Sequence, residues 1–109
     1  MNKRILLLSL LLLIFFSKTT FAEQGAISFI CRQSRNVLLV TSYGSYSCGT
    51  ITIMSPTWML HRGDAIVGEF NAYGEQQFYN VTTDTAFSVW INQFYVNAND
   101  ALTWLEENT

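Results

Sequence analysis

The stretch Thr85–Val96, TAFSVWINQFYV, alternates apolar and polar side chains and is rich in β-branched and aromatic residues. A period of two sustained over such a length predicts a β-strand. Phe87, Val89, Ile91 and Tyr95 share one face of this strand, which we expect to lie in the core. One strand cannot bury that face alone, so the fold depends on the strands that the rest of the chain supplies.

Five further segments upstream have strand-like composition and are separated by turn residues. They are Ala26–Arg32, Val37–Ser42, Tyr46–Met54, Ala65–Phe70 and Gln76–Thr82. Six short strands in one small chain predict a mainly β single domain, built as a curled antiparallel sheet or a barrel. The pattern leaves the strand order open, and it does not choose between a barrel, a sandwich-like sheet and a curled meander.

Residues Arg62–Phe70 carry a more specific pattern, in which a Gly-Asp turn leads into a β-rich run that contains Gly68. This segment resembles the loop-to-strand segments of SH3-like and OB-type barrels. The resemblance covers nine residues and implies a small barrel of one of these kinds. It implies nothing about function, because such barrels carry many unrelated activities.

The period of the sequence changes after the long strand. Asn97 is a suitable helix N-cap, and Ala98, Ala101, Leu102 and Leu105 recur at helical spacing. The sequence therefore predicts a short C-terminal helix. Because so short a helix is stable only when it docks, we expect it to cover an open end or edge of the sheet.

The first 22 residues have the pattern of a secretory signal peptide. The basic pair Lys3-Arg4 precedes the apolar run Ile5–Phe16, and Thr20-Phe21-Ala22 places small residues at the cleavage site. A run of twelve residues is too short to cross a bilayer, which needs about 20 apolar residues. We therefore expect cleavage after residue 22, a domain of residues 23–109, no stable membrane span after cleavage, and a secreted or periplasmic location.

The predicted domain is acidic. From residue 23 onward the chain has three arginines, no lysine and all eight carboxylates, which gives a net charge of −5. Such a surface repels phosphate backbones and anionic lipids. We therefore expect no nucleic-acid partner and no electrostatic docking on anionic membranes.

Cys31 and Cys48 are the two cysteines of the chain. An exported domain meets oxidising conditions, and two cysteines allow one intramolecular bond. We therefore predict a Cys31–Cys48 disulfide, which would stabilise a small domain by about 3 kcal/mol. Free buried thiols and a functional cysteine are the alternatives.

Few residues suggest catalysis or metal binding. His61 is the one histidine, no serine lies in a GxSxG pattern, and the carboxylates Asp64, Glu69, Glu75 and Asp84 fall in the β region. The spacing of these groups matches no common metal or cofactor motif, so we expect none. The sequon Asn80-Val81-Thr82 leaves glycosylation open.

The second face of the long strand suggests ligand binding. It carries Trp90, Asn92 and Phe94, and Tyr73 lies in the turn before the preceding strand. Flat aromatic rings stack on sugars or peptide side chains, while amides fix orientation. The competing interpretation is that the C-terminal helix covers this face with Trp104 and Leu105.

These features predict a secreted, non-enzymatic β-rich binding or interaction module whose partner is a protein or a glycan. One alternative is a small extracytoplasmic enzyme or enzyme inhibitor that uses His61 and nearby carboxylates. Another is a structural envelope component that associates with itself through its sheet edges.

Overall fold

The computed structural model describes residues 23–54 and 60–109, so the predicted signal peptide lies outside the described residues. The described chain contains six strands and one helix. These are β1 (Glu23–Ile30), β2 (Asn36–Thr41), β3 (Tyr46–Met54), β4 (Ala65–Gly68), β5 (Gly74–Asn80), β6 (Thr85–Val96) and α1 (Ala98–Asn108). The mainly β prediction and the short C-terminal helix are both confirmed.

The six strands close into an antiparallel barrel in the order β1-β2-β3-β6-β5-β4. Closure comes from β4, which pairs back onto β1 through Glu23 with Gly68 and Ala26 with Ala65. The prediction of a curled antiparallel sheet or a barrel is therefore confirmed. Of the architectures and strand orders that the sequence left open, the protein has a closed barrel in this order. Closure gives every described strand a neighbour on both sides, although residues 92–96 of β6 pair only with β3.

Aliphatic and aromatic side chains fill the barrel. They are Ile27, Val37, Leu39, Ile51, Leu60, Ile66, Phe70, Phe78, Phe87, Val89 and Ile91. Phe70, just after β4, is fully buried and meets the Phe78 ring edge-on at 5.2 Å between centroids. Gly25 in β1 leaves room for it, since a Cβ there would lie 2.8 Å from the Phe70 ring.

A second apolar cluster lies outside the barrel, beneath α1. Trp104, Leu105 and Ala101 of the helix pack with Leu38 of β2 and Cys48 of β3. Asn97 caps α1 as predicted, because its side-chain oxygen accepts the Asp100 N–H at 2.8 Å. The helix thus covers the outer side of β2 and β3, so the expectation that it covers an open end or edge was wrong.

Irregular pairing between β3 and β6 explains why the sequence alternation assigned Tyr95 to the wrong face of the sheet. Gly49 pairs with Ile91, Cys48 with Gln93 and Tyr46 with Val96, so β6 holds one extra residue in each interval. Each β-bulge changes which face the following side chains occupy. Tyr95, which we expected in the core, is therefore 66% exposed.

The predicted disulfide is wrong, because Cys31 and Cys48 are free thiols. β2 lies between them: the Cys31 N–H donates to the Asn36 carbonyl on one side, and Cys48 pairs with Leu38 on the other. Two strand spacings of about 4.8 Å separate the cysteines. That distance exceeds the Cα separation of about 7 Å that a disulfide tolerates.

The two thiols are expected to differ in reactivity. Hydrogen bonds from the Ser34 hydroxyl and backbone N–H lower the pKa of Cys31, whereas burial raises the pKa of Cys48 to about 11. Since the thiolate is the reactive form, iodoacetamide near neutral pH should alkylate Cys31 first. Mass spectrometry of a time course would show this order, and the denatured protein, in which both thiols react, is the control. Equal native rates would contradict the arrangement.

Candidate functional site

The outer face of β6 is open to solvent where the sequence suggested a binding surface. Trp90 is 51% exposed, and Asn92 is exposed two residues further on. Because α1 packs on β2 and β3, it does not cover Trp90. The competing interpretation, in which Trp104 and Leu105 pack on this face, was therefore wrong for Trp90. It holds only at the end of the strand, where Val96 packs against the cluster beneath α1.

The structure brings Tyr73 and Phe94 into direct contact. Their ring centroids are 4.6 Å apart, although Tyr73 belongs to the β4–β5 turn and Phe94 to β6. Phe94 is half-buried and packs against the barrel core, whereas Tyr73 is 69% exposed. Phe94 therefore lies between the barrel core and the exposed Tyr73 ring, which packs against it.

Tyr95 joins this group, although the sequence alternation assigned it to the core. Its ring lies 5.3 Å from the Phe94 ring, and its φ of 58° is in the left-handed region. That conformation is unfavourable for a bulky residue, at a cost of about 1–3 kcal/mol. We call Tyr73, Trp90, Asn92, Phe94 and Tyr95 the aromatic strip.

Polar groups border the aromatic strip on both sides. Glu75 of β5 pairs with Trp90, and its carboxylate accepts the Thr52 hydroxyl from β3 at 2.8 Å, across β6. On the other side, a groove of about 240 Å³ separates β6 from α1. It is lined by Gln93, Val96, Asp100, Thr103, Trp104 and Glu107.

A larger groove of about 480 Å³ lies beyond Glu75 on the same barrel wall. Its apolar lining includes Ile53 of β3, Val67 of β4, Tyr79 of β5 and Ala86 of β6. Sequence reasoning missed this groove, because its residues come from four strands whose order the sequence did not reveal. The exposed apolar positions in those strands were the available signal.

The groups considered for catalysis, His61 and Asp64, make hydrogen bonds and contacts within and next to their own loop. His61 is exposed, and its ring Nδ1 lies 3.8 Å from the Asp64 carboxylate. That carboxylate is buried and accepts the His61 backbone N–H at 2.9 Å and the Asn80 side-chain N–H at 2.8 Å. Asn80 is itself fully buried, so the sequon asparagine does not present its amide to solvent.

The remaining candidate carboxylates are each bonded to a different neighbour. Glu69 accepts the Asn71 backbone N–H, Asp84 accepts the Tyr79 hydroxyl, and Glu75 is held by Thr52 as described. Within residues 23–54 and 60–109, no three His, Cys, Asp or Glu side chains group in a way that would hold a metal ion.

Comparison with protein-family models, curated proteins and solved structures finds no match to this chain. The likeness of residues 62–70 to SH3-like and OB-type barrels therefore stays a prediction. Over the part of the chain that the structure describes, no helix has the length and apolar character needed to cross a membrane.

Proposed function

We propose that this protein is a secreted or periplasmic, non-enzymatic binding module that recognises its partner through the aromatic strip. The partner is a protein or a glycan. The location rests on the signal-peptide pattern of residues 1–22. The binding surface rests on the geometry of β6 and the β4–β5 turn.

The concentration of exposed aromatic rings at the bulged end of β6 carries this proposal. Bulges are enriched beside functional sites, where they redirect side chains. Here they turn Tyr95 outward. Packing in the barrel core does not compensate for its unfavourable left-handed backbone conformation, because Tyr95 is 66% exposed. Exposed Tyr and Trp supply large contact areas at low entropic cost, which is why recognition surfaces favour them.

The proposal predicts that Trp90→Ala strongly weakens binding and preserves the fold. Immobilised glycans and peptides would be probed with the wild-type protein, and affinity for each bound member would then be measured with both forms. We expect an affinity loss of about tenfold or more, the usual effect of truncating a central aromatic residue. The melting temperature should change little, because half of the Trp90 surface is already exposed.

Tyr43→Ala is the matched control. Tyr43 is 88% exposed in the β2–β3 turn, outside the aromatic strip. Its truncation should leave the same affinity unchanged. The proposal fails if no immobilised member binds the wild-type protein, or if Trp90→Ala and Tyr43→Ala bind as well as wild type.

A further inference from the structure

We propose that the aromatic strip recognises a basic segment of a partner protein, through its lysine or arginine side chains. This inference rests on the proposed function and specifies its ligand. It follows from the charges around the strip, from the position of Glu75 beside Trp90, and from the acidic groove next to α1.

The chain after Arg62 carries only negatively charged side chains. Residues 63–109 contain seven carboxylates and neither lysine nor arginine. The three arginines of the domain precede this stretch. Two of them bond within their own surroundings, and Arg35 is exposed in the β1–β2 turn, where its carbonyl accepts an N–H of β3 at 2.8 Å. Arg32 donates to the Leu60 carbonyl at 2.9 Å, and Arg62 donates to the Ser28 carbonyl at 3.1 Å. β5, β6 and α1 therefore present aromatic and acidic groups without a basic side chain.

Glu75 and Trp90 form a site suited to a cation. They are directly paired across β5 and β6, and the Thr52 hydroxyl holds one carboxylate oxygen of Glu75. A guanidinium or ammonium group over the Trp90 ring gains a cation–π interaction. The same group is then close enough to Glu75 for a charge-assisted hydrogen bond to the remaining carboxylate oxygen.

The groove beside α1 extends the same chemistry along the strip. Asp100 and Glu107 line it together with Gln93, which follows Asn92 in β6. A segment lying along β6 would therefore meet carboxylates on both sides of the aromatic rings. The net charge of −5 also steers a basic partner toward the domain, because long-range attraction raises the association rate.

The test uses fluorescent hexa-arginine as the probe, with fluorescence anisotropy at low and high salt. The wild-type protein should bind it, and high salt should weaken binding. Glu75→Gln should reduce affinity about fivefold, and Trp90→Leu, which keeps apolar bulk without the ring, should reduce it by a similar factor. Glu106→Gln is the matched control, because it removes the same charge from an exposed position of α1 outside the groove.

Each other outcome overturns the inference. Equal weakening by Glu75→Gln and Glu106→Gln would show attraction to net charge alone. Failure of hexa-arginine to bind would exclude a basic segment. If cellohexaose, a neutral glycan, then bound and Trp90→Ala abolished that binding, the proposed function would stand with a glycan as its ligand. If neither probe depended on Trp90, the aromatic strip would not be the binding surface for either class.

Discussion

Phe70→Ala should lower the free energy of unfolding by about 3–5 kcal/mol, the range for truncating a buried phenylalanine. Phe70 is fully buried, and its ring fills the space between Phe78 and the backbone of Gly25. The cavity left by alanine cannot collapse easily, because the paired strands of a closed barrel resist moving inward. The total free energy of unfolding of a small domain is about 5–15 kcal/mol, so this one substitution removes a large part of the stability.

Urea denaturation of the wild-type and variant proteins would measure this loss. Tyr73→Ala is the matched control, since Tyr73 lies three residues away and is 69% exposed. We expect the control to change stability by less than about 1 kcal/mol. A loss of similar size in both variants would show that the hairpin, rather than the barrel interior, depends on these rings.

Local sequence patterns predicted the strands and the helix because those elements rest on local chemistry. Alternation located β6, and the cap at Asn97 together with helical spacing located α1. Strand order could not be predicted in the same way, since closure depends on pairing between β1 and β4, which are distant in sequence. The disulfide prediction failed for this reason: it needed the position of β2 between Cys31 and Cys48.

The candidate site was predicted in part for a related reason. Trp90 and Asn92 were placed on an outer face by alternation, and they are exposed. Tyr95 was misplaced, because a β-bulge is a pairing irregularity that has no reliable signature in a single strand. The contact between Tyr73 and Phe94 joins two elements, so it appeared only with the fold.

Asn80→Ala is expected to lower the free energy of unfolding by about 3 kcal/mol. The substitution removes a hydrogen bond to the Asp64 carboxylate and leaves a cavity in its place. Asn80 is fully buried, donating to the Asp64 carboxylate at 2.8 Å and accepting the Thr83 N–H at 3.1 Å. Removing it leaves the buried Asp64 carboxylate short of a donor. Two loops would loosen together, because Asp64 precedes β4 and Thr83 precedes β6.

Thr82→Ala separates this structural role from glycosylation, because either change destroys the sequon. The Thr82 hydroxyl accepts the Ala65 N–H at 2.9 Å in an exposed position, so its loss should cost about 1 kcal/mol or less. If stability depended on a glycan at Asn80, Asn80→Ala and Thr82→Ala would lower the free energy of unfolding equally, and both variants would also lose the mass of the glycan.

A buried network instead predicts that Asp64→Ala and Asn80→Ala are strongly non-additive in a double-mutant cycle, since each removes the same hydrogen bond. Additive losses would mean that the two residues act separately, and the account of this end of the barrel would then be wrong.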